Sequence, residues 1–194
     1  MLRLGILASH QGSNFQIIAD ACANGNLNAK IVALICNNSD APVMKRAALM
    51  HIPAYHLSKS TFSETSALDA AINKRLTYSQ AQLVILAGYM KKIGPLVLNE
   101  FAGRIINIHP SILPRHGGKG YFGMRVHEAV IAAGDTETGA TVHHVTEGYD
   151  EGKLIRQEKV TVTTSDTPES IAKKVHLIEH RLLLETIKDF SEKL

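Results

Sequence analysis

The chain has 194 residues, of which 45% are apolar and 20% charged, and its formal net charge is +3. This composition is typical of a globular domain and excludes a disordered or collagenous chain. Lysine and arginine are spread along the sequence and tryptophan is absent, so the weak positive charge favours a small anionic ligand over a nucleic-acid groove.

Membrane insertion and disulfide bonding are both disfavoured by the sequence. No apolar run approaches the roughly 20 residues that cross a bilayer, and the N-terminal MLRLGILASH is typical of a first strand and not of a signal peptide. Cys22 and Cys36 are too few for a disulfide framework, so we expect both thiols to be reduced. The sequence therefore predicts a soluble, cytoplasmic protein without membrane or nucleic-acid partners.

Strand-like and helix-like segments alternate through the first half of the chain. Strands are predicted at residues 2–8, 29–36, 53–57 and 83–88, and helices at about 14–23, 43–50 and 66–78. The strands are nearly continuous in Val, Ile and Leu, which is typical of strands buried on both faces of a parallel sheet. The alternation predicts an α/β fold built from βαβ units.

The second half begins with a strand at 105–108, a glycine-rich loop and a helix over 124–134. Strands at 140–146 and 154–162 follow, and their short link predicts an antiparallel pair at the end of a mostly parallel sheet. A last helix is predicted after Thr167 as its cap, with Pro168 at the first helical position. No linker divides the chain, so we expect a single domain over residues 1–194.

The turn after the first predicted strand contains Gly12, Ser13 and Asn14. Backbone amides at a helix N-terminus, next to a glycine and a hydroxyl, form a phosphate site. An ordinary helix cap by Ser13 or Asn14 is the alternative. The loop has one glycine in place of G-x-G-x-x-G, and Asn37 and Asn38 replace a ribose-binding acid, so a phosphate monoester is favoured over a dinucleotide.

A second constellation consists of Asn107, His109 and Asp150. Asn107 and His109 are two residues apart at the end of a predicted strand, so both project to one side, and Asp150 lies in the turn before the last strand. An amide, an imidazole and a carboxylate suit acyl transfer to an amine. Spacing alone leaves open a satisfied core histidine and an ordinary turn carboxylate.

Metal and covalent chemistry receive little support from the sequence. His143 and His144 face opposite sides of a predicted strand, and neither H-E-x-x-H nor Cys-x-x-Cys occurs. G-x-S-x-G is also missing, and neither cysteine lies in a loop with a histidine nearby in sequence. The sequence therefore predicts neither a metal site nor covalent catalysis.

Six motifs in chain order resemble the phosphoribosylglycinamide formyltransferases, a family of folate-dependent enzymes of purine synthesis. They are GSN at 12–14, LAGYM at 86–90, NIHPSILP at 107–114, GATVHHV at 139–145, YDEG at 149–152 and EH at 179–180. The combination is far more specific than any one motif. The resemblance implies a Rossmann-like three-layer fold, with a nucleotide-binding half to about residue 100 and a folate-binding, catalytic half after it.

The resemblance also implies the reaction. The formyl group of 10-formyltetrahydrofolate, the co-substrate, would pass to the amine of glycinamide ribonucleotide. Asn107 and a protonated His109 would hold the negative oxygen, while Asp150 would keep His109 charged and help to move the amine proton towards N10. Thr141 and His143 would support the catalytic residues from a neighbouring strand.

Binding residues are implied by the same resemblance. Gly12, Ser13 and Asn14 would hold the ribonucleotide phosphate, and Glu179 would meet the ribose hydroxyls. The folate would lie against Met90, Lys91, Lys92, Ile93, Thr146 and Glu147. The implied protein is a monomer or a weak homodimer without a metal ion.

Three departures from the family pattern stand out. His10 replaces a common glycine, Lys92 replaces a usual apolar residue, and RHGGKGYFG at 115–123 is longer than the common loop. Methionyl-tRNA and sugar-nucleotide formyltransferases and formyltetrahydrofolate deformylase share part of the pattern but usually carry further domains, so the chain length favours the ribonucleotide enzyme. A non-catalytic nucleotide-binding domain is the alternative of a different class.

Overall fold

The computed structural model describes residues 1–192, which form seven strands and six helices. The strands are β1 (Leu2–Ala8), β2 (Ala29–Cys36), β3 (Ala54–His56), β4 (Leu83–Leu86), β5 (Ile105–His109), β6 (Glu137–His144) and β7 (Leu154–Thr161). The helices are α1 (Ser13–Ala23), α2 (Pro42–Leu49), α3 (Thr65–Tyr78), α4 (Pro95–Glu100), α5 (Met124–Ala132) and α6 (Pro168–Glu192). Hydrogen bonding orders the strands β3-β2-β1-β4-β5-β6-β7. The predicted α/β fold, with a mostly parallel sheet that ends in an antiparallel pair, is confirmed.

The chain divides into two compact units. The first unit is Met1–Ile106 with the chain from Ile187, and the second unit is Asn107–Thr186. The expectation of a single domain with a change of role near residue 100 stays a prediction.

In the first unit, β1 pairs in parallel with β2 on one side and with β4 on the other. The chain moves outwards from β1 through β2 to β3 and then returns to β4 through α3. Because parallel crossovers are right-handed, this reversal places α1 and α2 on one face of the sheet and α3 on the other. The carboxyl ends of β1 and β4 therefore form a topological switch point, where ligands of such sheets bind.

The first unit is held together by strands that are buried on both faces, as the apolar runs predicted. All four residues of β4 are buried, as are all of β1 except one half-buried residue. Gly5 in β1 allows α3 to approach closely, because a Cβ there would lie 2.5 Å from Cδ2 of Leu76. A larger residue at this position would push the helix away from the sheet.

Helix α4 was not predicted from the sequence. Its N-terminus is capped from α3 by the buried carboxylate of Asp69, which accepts hydrogen bonds from the backbone N–H groups of Leu96 at 2.8 Å and Val97 at 3.3 Å. Gly94 leaves room for this carboxylate, since a Cβ would lie 2.2 Å from Cγ of Asp69. A residue distant in sequence therefore stabilises a helix that is too short to persist alone.

In the second unit, β6 and β7 pair antiparallel, as the short link between them predicted. Gly139 on β6 lies so close to β7 that a Cβ would be 1.9 Å from the carbonyl oxygen of Glu158. Helix α6 begins after Thr167, whose Oγ1 accepts a hydrogen bond from the N–H of Ser170 at 3.3 Å, so this predicted cap is confirmed. Within residues 1–192, no helix has both the length and the apolar character of a membrane span.

Candidate active site

Strand β5 ends in the polar residues that the sequence singled out. Because side chains alternate along a strand, Asn107 and His109 project from one face of the sheet and the buried Ile108 projects from the other. The amide Nδ2 of Asn107 lies 3.3 Å from Oδ1 of Asp150 and 3.1 Å from Nε2 of His143. The structure therefore brings Asn107, His109 and Asp150 together, with His143 as a fourth member of the cluster.

Asp150 is held in the turn between β6 and β7 with its carboxylate mostly shielded from solvent. Its φ of +58° lies in the left-handed region, which aspartate tolerates better than most residues. Gly152 allows the turn to close on β6, because a Cβ there would lie 1.7 Å from the carbonyl oxygen of His144. Oδ2 of Asp150 accepts a hydrogen bond from the N–H of Gly118 at 2.9 Å and lies 3.5 Å from Nδ1 of His109.

Hydrogen bonds to backbone carbonyls determine where the two histidines carry their protons. Nε2 of His109 is 2.8 Å from the carbonyl oxygen of His116, and Nδ1 of His143 is 2.8 Å from that of His144. Because a carbonyl oxygen can only accept, each of these ring nitrogens is a donor. Nε2 of His143 lies between the Asn107 amide at 3.1 Å and Oδ1 of Asp150 at 3.4 Å, and Nδ1 of His109 is the atom that can take up a proton beside Asp150 when that ring is neutral.

Burial and the neighbouring charges shift the pKa values of His109 and Asp150 in opposite directions. Burial lowers the pKa of His109 below its ordinary value, although the Asp150 carboxylate and the His116 carbonyl act to raise it. For Asp150, burial acts to raise the pKa, but the contacts with His143, His109 and the N–H of Gly118 outweigh it and hold the pKa below its ordinary value. Asp150 is therefore ionised at neutral pH, beside an imidazole that burial keeps largely neutral.

Thr141 on β6 supports the chain that follows β5. Its Oγ1–H donates to the carbonyl of Ser111 at 2.7 Å, and its Oγ1 accepts from the N–H of Leu113 at 3.2 Å and from Nε2 of Gln157 at 2.9 Å. Gln157 also donates to the carbonyl of Leu113 at 3.1 Å. Every hydrogen-bonding group of this buried hydroxyl is therefore used to fix the backbone after His109.

The loop predicted to bind phosphate lies at the switch point of the first unit. The cap of α1 is Gly12, with φ +73° and no side-chain hydrogen bond, so the alternative that Ser13 or Asn14 serves as an ordinary cap is wrong. A Cβ on Gly12 would lie 2.3 Å from Cγ2 of Val43, which requires glycine here. Asn14 is buried and its Oδ1 has no hydrogen-bond partner among the described residues, so a polar ligand group can satisfy it.

The segment after β4 meets the same switch point. The N–H of Met90 donates to Oγ of the buried Ser9 at 2.8 Å, and the N–H of Ser9 donates to the carbonyl of Gly88 at 3.2 Å. Met90 is 36% exposed and Lys91 and Lys92 are exposed, whereas Ile93 is buried in the core. A ligand can therefore reach the first three residues of this predicted folate segment, while Ile93 acts by packing.

The remaining predicted binding residues lie in the second unit. Oε2 of Glu179 on α6 is 3.2 Å from Nδ1 of His176, and this contact outweighs burial and raises the pKa of His176. Thr146 and Glu147 are exposed on the loop between β6 and β7. The structure does not join Thr146 or Glu147 to the hydrogen-bonded cluster at the end of β5.

Sequence reasoning missed three residues that hold the cluster and the chain after it, namely His116, Gly118 and Gln157. The loop contacts of His116 and Gly118 use backbone groups, so the identity of these residues carried no signal. Gln157 could have been found, because it lies directly opposite Thr141 in the antiparallel pair.

The donor set fits an organic ligand better than a metal ion. Among residues 1–192, no three His, Cys, Asp or Glu side chains are arranged to hold a metal. Asn107 and Asp150 instead present a hydrogen-bond donor and a charged acceptor side by side, which suits a carbonyl group and an amine.

Comparisons with known proteins agree with this chemistry. Residues 2–187 match the family model described as formyl transferase. The chain is 38% identical to phosphoribosylglycinamide formyltransferase of Haemophilus influenzae, covering 99% of this chain and 88% of that protein. It is 35% identical to the Bacillus subtilis protein of the same name, covering 97% and 94%. The crystal structure of glycinamide ribonucleotide transformylase 1 from Symbiobacterium toebii matches with a TM-score of 0.93 and 36% identity, covering 100% of this chain and 89% of that one.

Proposed function

Because the chain belongs to the formyl transferase family, we propose that it transfers the formyl group of 10-formyltetrahydrofolate to the amine of glycinamide ribonucleotide in purine synthesis. The resemblance noted from the sequence motifs is thereby confirmed at the level of the family. The observation that carries the proposal is the convergence of Asn107, His109 and Asp150 within hydrogen-bonding or ion-pair distance.

The resemblance assigns two sets of groups to the ribonucleotide, one for its phosphate and one for its ribose. The unpaired backbone N–H groups at the start of α1, with the Ser13 hydroxyl, bind the phosphate, because a helix N-terminus favours an anion. The mild positive charge of the chain supports the same ligand. Glu179 accepts hydrogen bonds from the ribose hydroxyls, and its contact with His176 fixes the carboxylate for this purpose.

The folate is received by the exposed part of the segment from Met90 to Lys92, with Ile93 supporting it from the core. Thr146 and Glu147 contact the folate from their exposed loop. Lys92 replaces a usual apolar residue, which is harmless where only its backbone contacts the ligand. His10 is also exposed, and its carbonyl accepts from the N–H of Val43 at 3.2 Å, so its side chain is free to add a donor near the phosphate.

Formyl transfer needs a donor for the formyl oxygen and a route for one proton. Nδ2 of Asn107 lies 3.3 Å from Asp150 and 3.1 Å from His143 in the free protein, and we assign one of its N–H groups to the formyl oxygen as negative charge develops there. The attacking amine forms a bond to the formyl carbon and loses a proton, while the bond from that carbon to N10 breaks and N10 gains one. Asp150 and Nδ1 of His109 move this proton, so the reaction needs no further reagent.

The resting state of His109 refines the role that the resemblance implied. Because burial lowers its pKa, the ring is mostly neutral before substrate binds, and it becomes the protonated partner of the oxyanion when it takes a proton at Nδ1 beside Asp150. A base that is neutral at working pH can accept that proton, whereas a permanently charged ring cannot.

Cellular setting and assembly belong to the same proposal. Two free cysteines support a reducing, cytoplasmic compartment. We propose a monomer or weak homodimer without a nucleic-acid partner, which sedimentation analysis of the full chain tests.

The proposed function is tested by measuring tetrahydrofolate release from 10-formyltetrahydrofolate with and without glycinamide ribonucleotide. Release should depend on the ribonucleotide, and the same compound without its phosphate should be a poor acceptor because it loses the α1 contacts. Release that is equally fast without any ribonucleotide would identify a hydrolase. Binding of the ribonucleotide without any release would identify a binding domain.

A further inference from the structure

The loop that follows β5 contacts both ionisable groups of the proposed site through its backbone. The carbonyl oxygen of His116 accepts a hydrogen bond from Nε2–H of His109 at 2.8 Å. The N–H of Gly118 donates to Oδ2 of Asp150 at 2.9 Å. Residues 116–118 therefore hold the imidazole and the carboxylate at the same time.

The side chain of His116 fixes this stretch to the turn between α5 and β6 in the second unit. Its Nε2–H donates to Oδ2 of Asp135 at 2.6 Å, and only 14% and 19% of the two side chains are exposed. Asp135 lies between α5 and β6, and its N–H donates to the carbonyl of Val130 on α5 at 3.2 Å. The position of the anchor is therefore set by α5 and β6 and not by the loop.

The backbone of His116 adopts a conformation that requires such an anchor. Its φ of +50° lies in the left-handed region, which residues with a Cβ occupy only where their surroundings hold them. The next residue packs closely against Leu113, because a Cβ on Gly117 would lie 2.4 Å from Cδ2 of that side chain. Release of the His116 side chain is therefore expected to move the carbonyl that faces His109.

We infer that His116, paired with Asp135, is a positioning residue that determines which nitrogen of His109 carries the proton and how the Asp150 carboxylate is oriented. The inference rests on the proposed function, because it concerns the same site. A carbonyl oxygen can only accept, so it keeps a proton on Nε2 of His109 and leaves Nδ1 as the nitrogen that exchanges a proton beside Asp150.

The electrostatics of His109 agree with this role. The His116 carbonyl raises the pKa of His109 against the effect of burial, so loss of that contact should lower the pKa further. The other titratable groups that act on His109 in this unit are Asp150, His143, Glu179 and His127. All of these groups stay unchanged in the variants proposed below.

The test compares Asp135→Ala, which removes the anchor, with Asp135→Asn, whose amide oxygen still accepts from His116. We expect Asp135→Ala to lower kcat by about tenfold or more with the KM for the ribonucleotide within about twofold, and Asp135→Asn to restore most of kcat. Histidine ¹⁵N–¹H spectra of the full chain should show a lower pKa for His109 in Asp135→Ala and a mixture of its two neutral tautomers.

Glu137→Ala is the matched control. Glu137 pairs with Lys159 at 2.8 Å on the neighbouring strand, so its loss removes an ion pair from β6 without releasing the loop. It should leave both kcat and the His109 spectrum unchanged. If Asp135→Ala fails to fold, His116→Asn makes the same test, because asparagine tolerates a positive φ but is too short to reach Asp135.

The inference is overturned if the pKa and the tautomer of His109 are unchanged in a folded Asp135→Ala or His116→Asn protein. The spectra need no substrate, so this result can be told apart from a failure of the proposed function. The proposed function fails if the wild-type protein transfers no formyl group. The inference about His116 still stands in that case if the His109 signals differ between wild type and Asp135→Ala.

Discussion

Asp150→Asn isolates the charge of the carboxylate from its shape. Asparagine also tolerates the φ of +58°, so the turn should persist. The carboxylate faces donors on both oxygens, Asn107 at 3.3 Å and Gly118 at 2.9 Å, whereas an amide has one acceptor oxygen. If the amide oxygen stays with Asn107, the N–H of Gly118 is left unpaired, which lowers the free energy of unfolding by about 1–3 kcal/mol. If the oxygen turns to Gly118, Asn107 still has Nε2 of His143 at 3.1 Å and the loss is smaller. Loss of proton transfer should lower kcat by about 10²–10⁴-fold, or roughly 3–5 kcal/mol of barrier.

The assay is single-turnover formyl transfer combined with calorimetric titration of glycinamide ribonucleotide. The dissociation constant should stay within about twofold of wild type, because the phosphate loop is unchanged. Glu151→Gln, an exposed carboxylate in the same turn, is the control and should keep its turnover. A kcat for Asp150→Asn within about threefold of wild type, in a folded protein, would refute the assignment of proton transfer to Asp150.

Three further predictions concern binding and stability. Ser13→Ala and Glu179→Ala should each raise the KM for the ribonucleotide with little change in kcat, and an unchanged KM in both would remove the proposed phosphate and ribose site. Asp69→Ala should lower the free energy of unfolding by about 2 kcal/mol in urea titrations, because two N–H groups of α4 lose their acceptor. Burial, with smaller effects from neighbouring histidines, lowers the pKa of His127 from 6.5 to about 4, so its contribution to stability is complete above pH 6.5 and is lost as the pH falls towards 4. The slope from this group should be below about 1.4 kcal/mol per pH unit and should vanish in His127→Gln, and an equal slope in that variant would contradict the assignment.

The sequence predicted most of the sheet because its strands carry strong local signals. Long runs of Val, Ile and Leu can be satisfied only by burial on both faces, and the short link between β6 and β7 permits only an antiparallel return. Helix α4 was missed because its stability comes from Asp69, more than twenty residues earlier in the chain. A cap supplied by tertiary contact leaves no pattern near the helix that it stabilises.

The candidate site was predictable where chemistry depends on side chains. Asn107 and His109 were visible because a polar amide and an imidazole at the end of an apolar strand need partners. The contributions of His116 and Gly118 were invisible, since their contacts use backbone groups that every residue except proline shares. The alternative of Ser13 or Asn14 as the cap of α1 could not be decided from the sequence, because the close approach of Val43 that selects Gly12 arises only in the folded chain.

The central claim is that this chain catalyses transfer of a formyl group to an amine and not to water. The most direct measurement follows ¹³C-labelled 10-formyltetrahydrofolate by NMR in the presence of glycinamide ribonucleotide. We predict that the label appears almost entirely in the formylated ribonucleotide, and that Asn107→Ala abolishes this signal. Label that appears as formate, or that stays in the folate while the ribonucleotide binds, would contradict the account.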